Sequence, residues 1–153
     1  AKMTKKILQN LKYDKKTIKS VASLVELHLR PHTFKMGWTD SAVRRYIVDA
    51  GDVLEDLNNL VRADVTTKNK QKAQEIYEKL DEMETRIKEV LEKEEMSKLR
   101  PPITGDEIMS LFNLEPGPKV GLIMKALYEQ RINEGEVTKE EAIKLAKETF
   151  NNL

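Results

Sequence analysis

Apolar residues recur at alternating steps of three and four along one long stretch near the middle of this chain. They are Ala73, Ile76, Leu80, Met83, Ile87 and Val90, in a run without proline or glycine. This spacing places them on one face of a helix predicted from about Asn69 to Glu95. Three heptads are too few for a free-standing coiled coil, so we expect this face to pack against a neighbouring helix. A second copy of the chain is the alternative partner.

Helix signals cover most of the N-terminal half. Pro31 ends one predicted helix, because the residue before a proline is pushed out of the helical region. Gly51 ends the next as a left-handed C′ residue, and residues 32–37 are predicted to form a loop. The candidate N-caps are Asp14, Thr39 and Asp52.

The C-terminal half carries two capping boxes, in which a threonine and a glutamate three residues later satisfy each other's backbone amides. They begin at Thr104 and Thr138, and a helix opened by Pro118 lies between them. The best helix breaker is Arg100-Pro101-Pro102. The sequence therefore predicts an all-α fold, a helical array of about seven to eight helices in two lobes joined near Arg100–Pro102. The predicted domains are 1–37, 38–100 with the long helix at about 69–95, and 101–153.

Composition excludes several classes of protein. No run reaches the roughly 18 apolar residues of a membrane helix, and the chain has no cysteine for disulfides or thiolate metal sites. We expect a cytoplasmic protein without membrane contact. No strand-borne carboxylate pair, phosphate-binding Walker loop or nucleophile–histidine–acid set is recognisable. We therefore predict no catalytic residue. His28 and His32 are four apart, but Pro31 breaks the helix between them, so a helix-end histidine is favoured over a metal ligand.

Charge is distributed unevenly along a chain whose net charge is only +1. Residues 62–72 hold four basic residues and one acid, net +3, while residues 74–96 hold nine acids and four bases, net −5. Mixtures of basic, threonine and asparagine side chains are typical of phosphate and ribose contacts. A solvated surface paired with the neighbouring acids is the alternative. The residues concerned are Arg44, Arg45, Arg62, Lys68, Asn69, Lys70 and Lys72.

A second candidate phosphate site precedes the helix that Pro118 opens. Gly117 would let a backbone approach closely, and Lys119 supplies a cation beside the helix N-terminus, where unpaired amides favour an anion. Gly121 completes the pattern. Pro118 removes one amide donor, however, and Pro-Gly-Pro is also an ordinary turn between helices. Both interpretations stay open at the level of these residues.

Five segments together resemble the C-terminal half of the bacterial CCA-adding tRNA nucleotidyltransferases, which are related to poly(A) polymerases. They occur in the order WTDSAVRRYIVDAG (38–51), RADVTTKN (62–69), RPPITGDEIM (100–109), EPGPKVGLIMKAL (115–127) and EGEVTKEEA (134–142). Residues 1–32 resemble the last helices of the HD-type domain that some of these enzymes carry. The resemblance strengthens an RNA-facing role for both sets of candidate residues.

The resemblance also implies where catalysis lies. The paired aspartates of the nucleotidyltransferase head and the His-Asp dyad of the HD site are expected upstream, in the same chain or in a second one. No cofactor is expected here, whereas the parent enzyme would use Mg²⁺ with CTP and ATP. These residues would hold the acceptor stem and elbow backbone of tRNA. A non-enzymatic protein-interaction or oligomerisation scaffold is the alternative, and a homo-oligomer is left open.

Overall fold

The computed structural model describes residues 1–94 and 100–153. Within these two ranges the chain forms eight α-helices, two short 3-10 helices and no strand, which confirms the predicted all-α fold. The predicted helix end at Glu95 lies outside the described residues. The helices are α1 (Lys2–Asn10), α2 (Lys15–Leu27), α3 (Asp40–Ala50), α4 (Leu54–Ala63), α5 (Lys70–Glu94), α6 (Gly105–Phe112), α7 (Pro118–Glu134) and α8 (Lys139–Asn151).

The chain divides into two compact units. Unit 1 consists of Ala1–Thr39 and Arg45–Glu89, and unit 2 consists of Asp40–Arg44 and Val90–Leu153. The division by contacts therefore falls within α3 and α5, whereas the lobe boundary was predicted at the Arg-Pro-Pro breaker. The three predicted domains stay a prediction. None of the helices in the described ranges is long and apolar enough to cross a bilayer.

Unit 1 begins with the hairpin of α1 and α2, and α2 also packs against α4. Asp14 caps α2 as predicted, because its carboxylate accepts hydrogen bonds from the amides of Lys16 and Thr17 at 2.9 Å. Buried apolar side chains of the unit include Ala22, Leu57 and Val61. The α4 register is therefore set by residues four apart on its inner face.

Two local predictions in unit 1 are wrong. Residues predicted as a loop form the 3-10 helix Arg30–Met36, since Pro31 can occupy a first helical position as readily as it ends a preceding helix. Asp52 does not cap α4: it lies inside the 3-10 helix Gly51–Val53, and the N-cap is Val53 without a side-chain bond. Gly51 does end α3 with a positive φ of 51°, as predicted.

The long helix α5 carries the predicted apolar face. Leu80, Met83, Ile87 and Val90 are at most 6% exposed, and Ala73 and Ile76 are half-buried. At 25 residues, the helix is about 37 Å long. The C-terminal two-thirds of this face is thus covered within a single chain.

Unit 2 is a three-helix core closed by its capping boxes. Thr104 and Glu107 begin α6, and Thr138 and Glu141 begin α8, each with both reciprocal bonds present, as predicted. Lys139 donates to Glu107 at 2.6 Å and so joins the two helix starts. The apolar side chains between α6, α7 and α8 are Ile103, Ile108, Ile123, Leu127, Ala142 and Ala146.

We expect acid to destabilise unit 2 through these boxes. Lys139 and the Thr104 amide hold the pKa of Glu107 below its ordinary 4.5, and the amide and hydroxyl of Thr138 do so for Glu141. Because folding lowers both pKa values, this stabilisation is complete above the unfolded-state pKa. It is lost as the pH falls through the folded-state value.

The measurement is the midpoint of thermal unfolding between about pH 6 and pH 3. It should fall more steeply in the wild type than in Glu107→Gln/Glu141→Gln. The control is Glu136→Gln, which removes an exposed carboxylate outside both boxes and should keep the wild-type profile. Identical profiles in the wild type and the double variant would contradict this origin of the acid sensitivity.

Candidate nucleic-acid interface

The basic turn between α4 and α5 is ordered by its own polar side chains. The Thr67 hydroxyl accepts a hydrogen bond from the Asn69 amide at 3.3 Å, and the Asn69 side-chain oxygen accepts one from the Lys72 amide at 3.1 Å. Asn69 therefore acts as the N-cap of α5. Asn69, which was predicted to contact RNA, thus has a structural role. By starting α5, it places Lys68, Lys70 and Lys72 at the beginning of the helix.

Positive charge is concentrated at this start of α5. Lys68, Lys70 and Lys72 are exposed, and the first turn of the helix contains no acid. Among the residues that the structure describes, none of the three side chains makes a hydrogen bond or ion pair. Lysine near a helix N-terminus adds to the positive end of the helix dipole. Such a surface attracts anions. We call the surface formed by Lys68, Lys70 and Lys72 the α5 basic end.

Arg62, by contrast, is occupied inside unit 1. Its Nε donates to Glu84 at 2.8 Å, and a terminal nitrogen donates to Asp81 one turn earlier on α5. These two acceptors raise the pKa of the guanidinium, and Glu84 has the larger effect of the two. The guanidinium therefore connects α4 to α5. Its charge is already balanced by two carboxylates, with which a phosphate would have to compete.

The adjacent arginines Arg44 and Arg45 differ in exposure. Arg44 is only 7% exposed, and it donates to the backbone carbonyl of Ile132 at the end of α7, at 3.1 Å. Arg45 is half-buried. A buried guanidinium that satisfies a carbonyl inside unit 2 is a structural group. Helix periodicity did not distinguish the two, because both positions flank the apolar face of α3.

The start of α7 presents the second candidate. Pro118 occupies the first helical turn and Lys119 is exposed beside it, with no acid in that turn. Gly117 has an extended φ of 176°, so its backbone does not require glycine. Gly121 lies within the helix, where its amide bonds the Gly117 carbonyl at 3.2 Å. Lys119 is therefore the part of this pattern that can attract an anion.

These two helix starts contrast with those of α6 and α8. In the first turns of α6 and α8 stand Asp106, Glu107, Glu140 and Glu141. Acids at a helix N-terminus stabilise it and repel an anion. The starts of α5 and α7 lack such acids, as do those of α1 and α2.

Trp38 packs within unit 1 against other aromatic rings. Its centroid is 5.6 Å from that of Phe34 and 5.1 Å from that of Tyr46, and its indole nitrogen donates to the Thr33 hydroxyl at 3.2 Å. Tyr46 is buried and donates to Asn58 at 3.0 Å. Burial raises the pKa of its phenol. This cluster fixes the entry of α3, as expected for a hydrophobic anchor.

The two histidines lie at the end of α2 and in the following 3-10 helix. His28 donates from Nδ1 to the Val25 carbonyl at 2.9 Å, which is the behaviour of a helix-end residue. Among the described residues, no group of three or more side chains is arranged to hold a metal ion. His32 is exposed and lines a cavity with Lys72 and Lys79.

Sequence reasoning missed Lys79 and Glu75, the neighbours of Lys72 in that cavity. Glu75 and Lys79 lie three and seven residues after Lys72, so all three share one face of α5. The sequence alone could have predicted that these three residues share a helix face. It could not predict that the 3-10 helix Arg30–Met36 packs beside that face, because residues 32–37 were predicted to form a loop.

Comparison with known proteins identifies the family. Residues 1–146 match the family model described as tRNA nucleotidyltransferase domain 2. The chain belongs to this family. That result confirms the resemblance read from the five sequence segments.

Two curated relatives give the same result. The chain is 36% identical over 134 residues to the CC-adding tRNA nucleotidyltransferase of Thermus thermophilus. This alignment covers 86% of the chain and 28% of the relative. It is 33% identical over 133 residues to the A-adding tRNA nucleotidyltransferase of Deinococcus radiodurans, covering 86% and 29%. The chain therefore spans less than a third of the length of these relatives. No solved structure matches it significantly.

We expect Arg44 to contribute to stability. Arg44→Met removes a charged donor and leaves the Ile132 carbonyl buried, so the free energy of unfolding should fall by about 2 kcal/mol. Chemical denaturation monitored by circular dichroism measures this. Lys125→Met, an exposed position on α7, is the matched control and should change the free energy by less than about 0.5 kcal/mol. Equal stability of the two variants would contradict the assignment.

Proposed function

We propose that this chain is a tRNA-holding part of a tRNA nucleotidyltransferase that contacts the RNA backbone and does not itself transfer nucleotides. The observation that carries the proposal is the α5 basic end, where exposed lysines stand at an acid-free helix start. Family membership supports RNA as the anion, since both curated relatives are named as tRNA nucleotidyltransferases.

The charges of the chain are suited to backbone contact. Phosphate contacts position a protein on a nucleic acid without reading its sequence. Double-stranded RNA is recognised largely by its shape, its phosphates and its 2′-hydroxyls. Lys68, Lys70, Lys72 and Lys119 would neutralise phosphates of the acceptor stem or elbow. Arg45 stays in the proposed contact set, whereas Arg44 and Arg62 would act indirectly by holding α3 and α5 in place.

Nucleotide transfer itself is assigned to other residues of the parent enzyme. A head in the same chain or in a second chain would bind Mg²⁺ with CTP or ATP and add the 3′-terminal nucleotides. The cytoplasm, where tRNA is processed in bacteria, is the proposed location.

The α5 basic end can be tested with matched charge deletions. Lys68→Ala/Lys70→Ala should weaken tRNA binding and reduce the slope of log K against log salt by about 0.7–0.9 per lost phosphate contact. Lys88→Ala/Lys93→Ala removes two exposed lysines from elsewhere on α5 and is the control. Fluorescence anisotropy with labelled tRNA, between about 50 and 200 mM salt, gives both quantities.

Both double variants lose the same net charge, so a general electrostatic effect would lower their affinities for tRNA equally. We expect the slope of log K against log salt to decrease only in Lys68→Ala/Lys70→Ala. If Lys68→Ala/Lys70→Ala binds tRNA with the wild-type affinity and salt dependence, the α5 basic end is not the RNA surface.

One observation favours the alternative scaffold function. Met3, Ile7 and Leu11 are 76%, 50% and 63% exposed, and their four-residue spacing forms an apolar stripe along α1. Such an uncovered stripe is typical of a protein contact. The face of α5 first considered for this role is instead largely covered.

Sedimentation velocity separates the two functions. We expect the 17.6 kDa chain to sediment as a monomer, because the apolar face of α5 is already covered within it. A dimer that Ile7→Lys dissociates would instead assign α1 as an oligomerisation surface. Gln9→Lys, which adds the same charge at an exposed position of the same helix outside the stripe, is the control.

A further inference from the structure

A cavity of about 280 Å³ lies in unit 1 beside the α5 basic end. One wall is the 3-10 helix Arg30–Met36, and the other is the N-terminal half of α5. The lining residues are Pro31, His32, Phe34, Lys72, Glu75, Ile76, Lys79 and Leu80. Its volume is near the lower end of the range of about 300–1,000 Å³ typical of small-ligand sites, so it suits a group of about one nucleotide.

The floor and the rim of the cavity differ in chemistry. The floor is apolar, with Pro31, Phe34 and Leu80 buried and Ile76 half-buried. The rim carries Lys72 and Lys79, which are separated by two helical turns, about 10 Å along α5. A flat apolar group and one or two anionic groups can therefore be accommodated together.

The rim charges are available to a ligand. Lys72 and Lys79 are exposed, and neither side chain makes an ion pair or hydrogen bond with the residues that the structure describes. His32 faces the same cavity from the opposite wall, and Glu75 is the one acid in the lining. The rim is thus net positive, with a single carboxylate acceptor.

We propose that this cavity takes one unpaired nucleotide of the bound RNA, with its base on the apolar floor and its phosphates at Lys72 and Lys79. The proposal rests on the proposed function and extends it from backbone contact to base contact. Sequence-specific recognition of RNA mostly uses unpaired nucleotides, because the major groove of an A-form helix is too deep and narrow for side chains to read the paired bases. Lys72 belongs to both the cavity and the α5 basic end, so a duplex held there can place an extrahelical base in the cavity.

Glu75 gives the site a base preference. A carboxylate accepts a hydrogen bond from the exocyclic amino group of adenine or cytosine, whereas uracil has no exocyclic amino group and can offer only its ring N3–H. The cavity should therefore favour an unpaired adenosine or cytidine over uridine.

The test compares three RNA hairpins that share one stem: fully paired, with a single bulged adenosine, and with a single bulged uridine. Fluorescence anisotropy with the full chain measures the dissociation constants. Stacking of a base on an aromatic side chain contributes about 1–3 kcal/mol, and Phe34, which is only 5% exposed, supports the lower end of this range. We therefore expect the bulged adenosine to tighten binding about fivefold or more over the paired hairpin, and the bulged uridine to tighten it less.

The variants separate the cavity from the rest of the surface. His32→Ala/Lys79→Ala changes two exposed rim residues and should weaken the bulged adenosine hairpin more than the paired one, so that the preference between them decreases. Glu75→Leu should remove the discrimination between adenosine and uridine. Lys68→Ala/Lys70→Ala should weaken all three hairpins equally, so that their ratios stay as in the wild type.

Each contrary result has a distinct meaning. Equal binding of all three hairpins by the wild type overturns the cavity proposal and leaves backbone holding intact. No binding of any hairpin or of tRNA overturns both. Micromolar binding of AMP, lost in His32→Ala/Lys79→Ala, together with equal binding of the three hairpins, would make a free mononucleotide the occupant and would overturn the proposal.

Discussion

Burial of one apolar face fixes the orientation of α5. Leu80, Met83 and Ile87 are at most 6% exposed, and hydrophobic burial of this extent outweighs a partly exposed ion pair. With these residues inside, the lysines at the helix start lie in solvent. Arg62 adds to this arrangement, because its guanidinium bonds two carboxylates one turn apart on α5 and so connects the helix to α4. An arginine that was predicted to contact RNA thus has a structural role.

The cations of the chain divide into two groups by their surroundings. Arg44 and Arg62 satisfy groups of the protein, and Lys139 joins the two capping boxes. Lys68, Lys70 and their neighbours are exposed at an acid-free helix start. Net charge conceals this division, because paired and available charges count equally in it. Arg44 and Arg62 stabilise the fold, whereas the exposed lysines at the start of α5 are the ones proposed to bind the ligand.

Sequence periodicity predicted what depends on neighbouring residues along the chain. The inner face of α5, both capping boxes, and Asp14 and Gly51 at helix ends follow from local spacing and backbone chemistry. The burial of Arg44 could not be predicted, because it depends on the Ile132 carbonyl, 88 residues away. The cavity likewise depends on a 3-10 helix whose sequence, with Pro31 inside it and Gly37 directly after it, also suits a loop. Prediction failed where distant segments decide the environment of a side chain.

The lysines at the start of α5 have a consequence for how ionic strength acts on the protein. In the free chain they repel the positive end of their own helix, so added salt screens this repulsion and should favour folding. The same salt competes with RNA phosphates and weakens the complex. The contributions of these lysines to folding and to binding therefore respond to ionic strength in opposite directions. Part of the free energy of binding is the relief of an electrostatic strain that the unbound protein already contains.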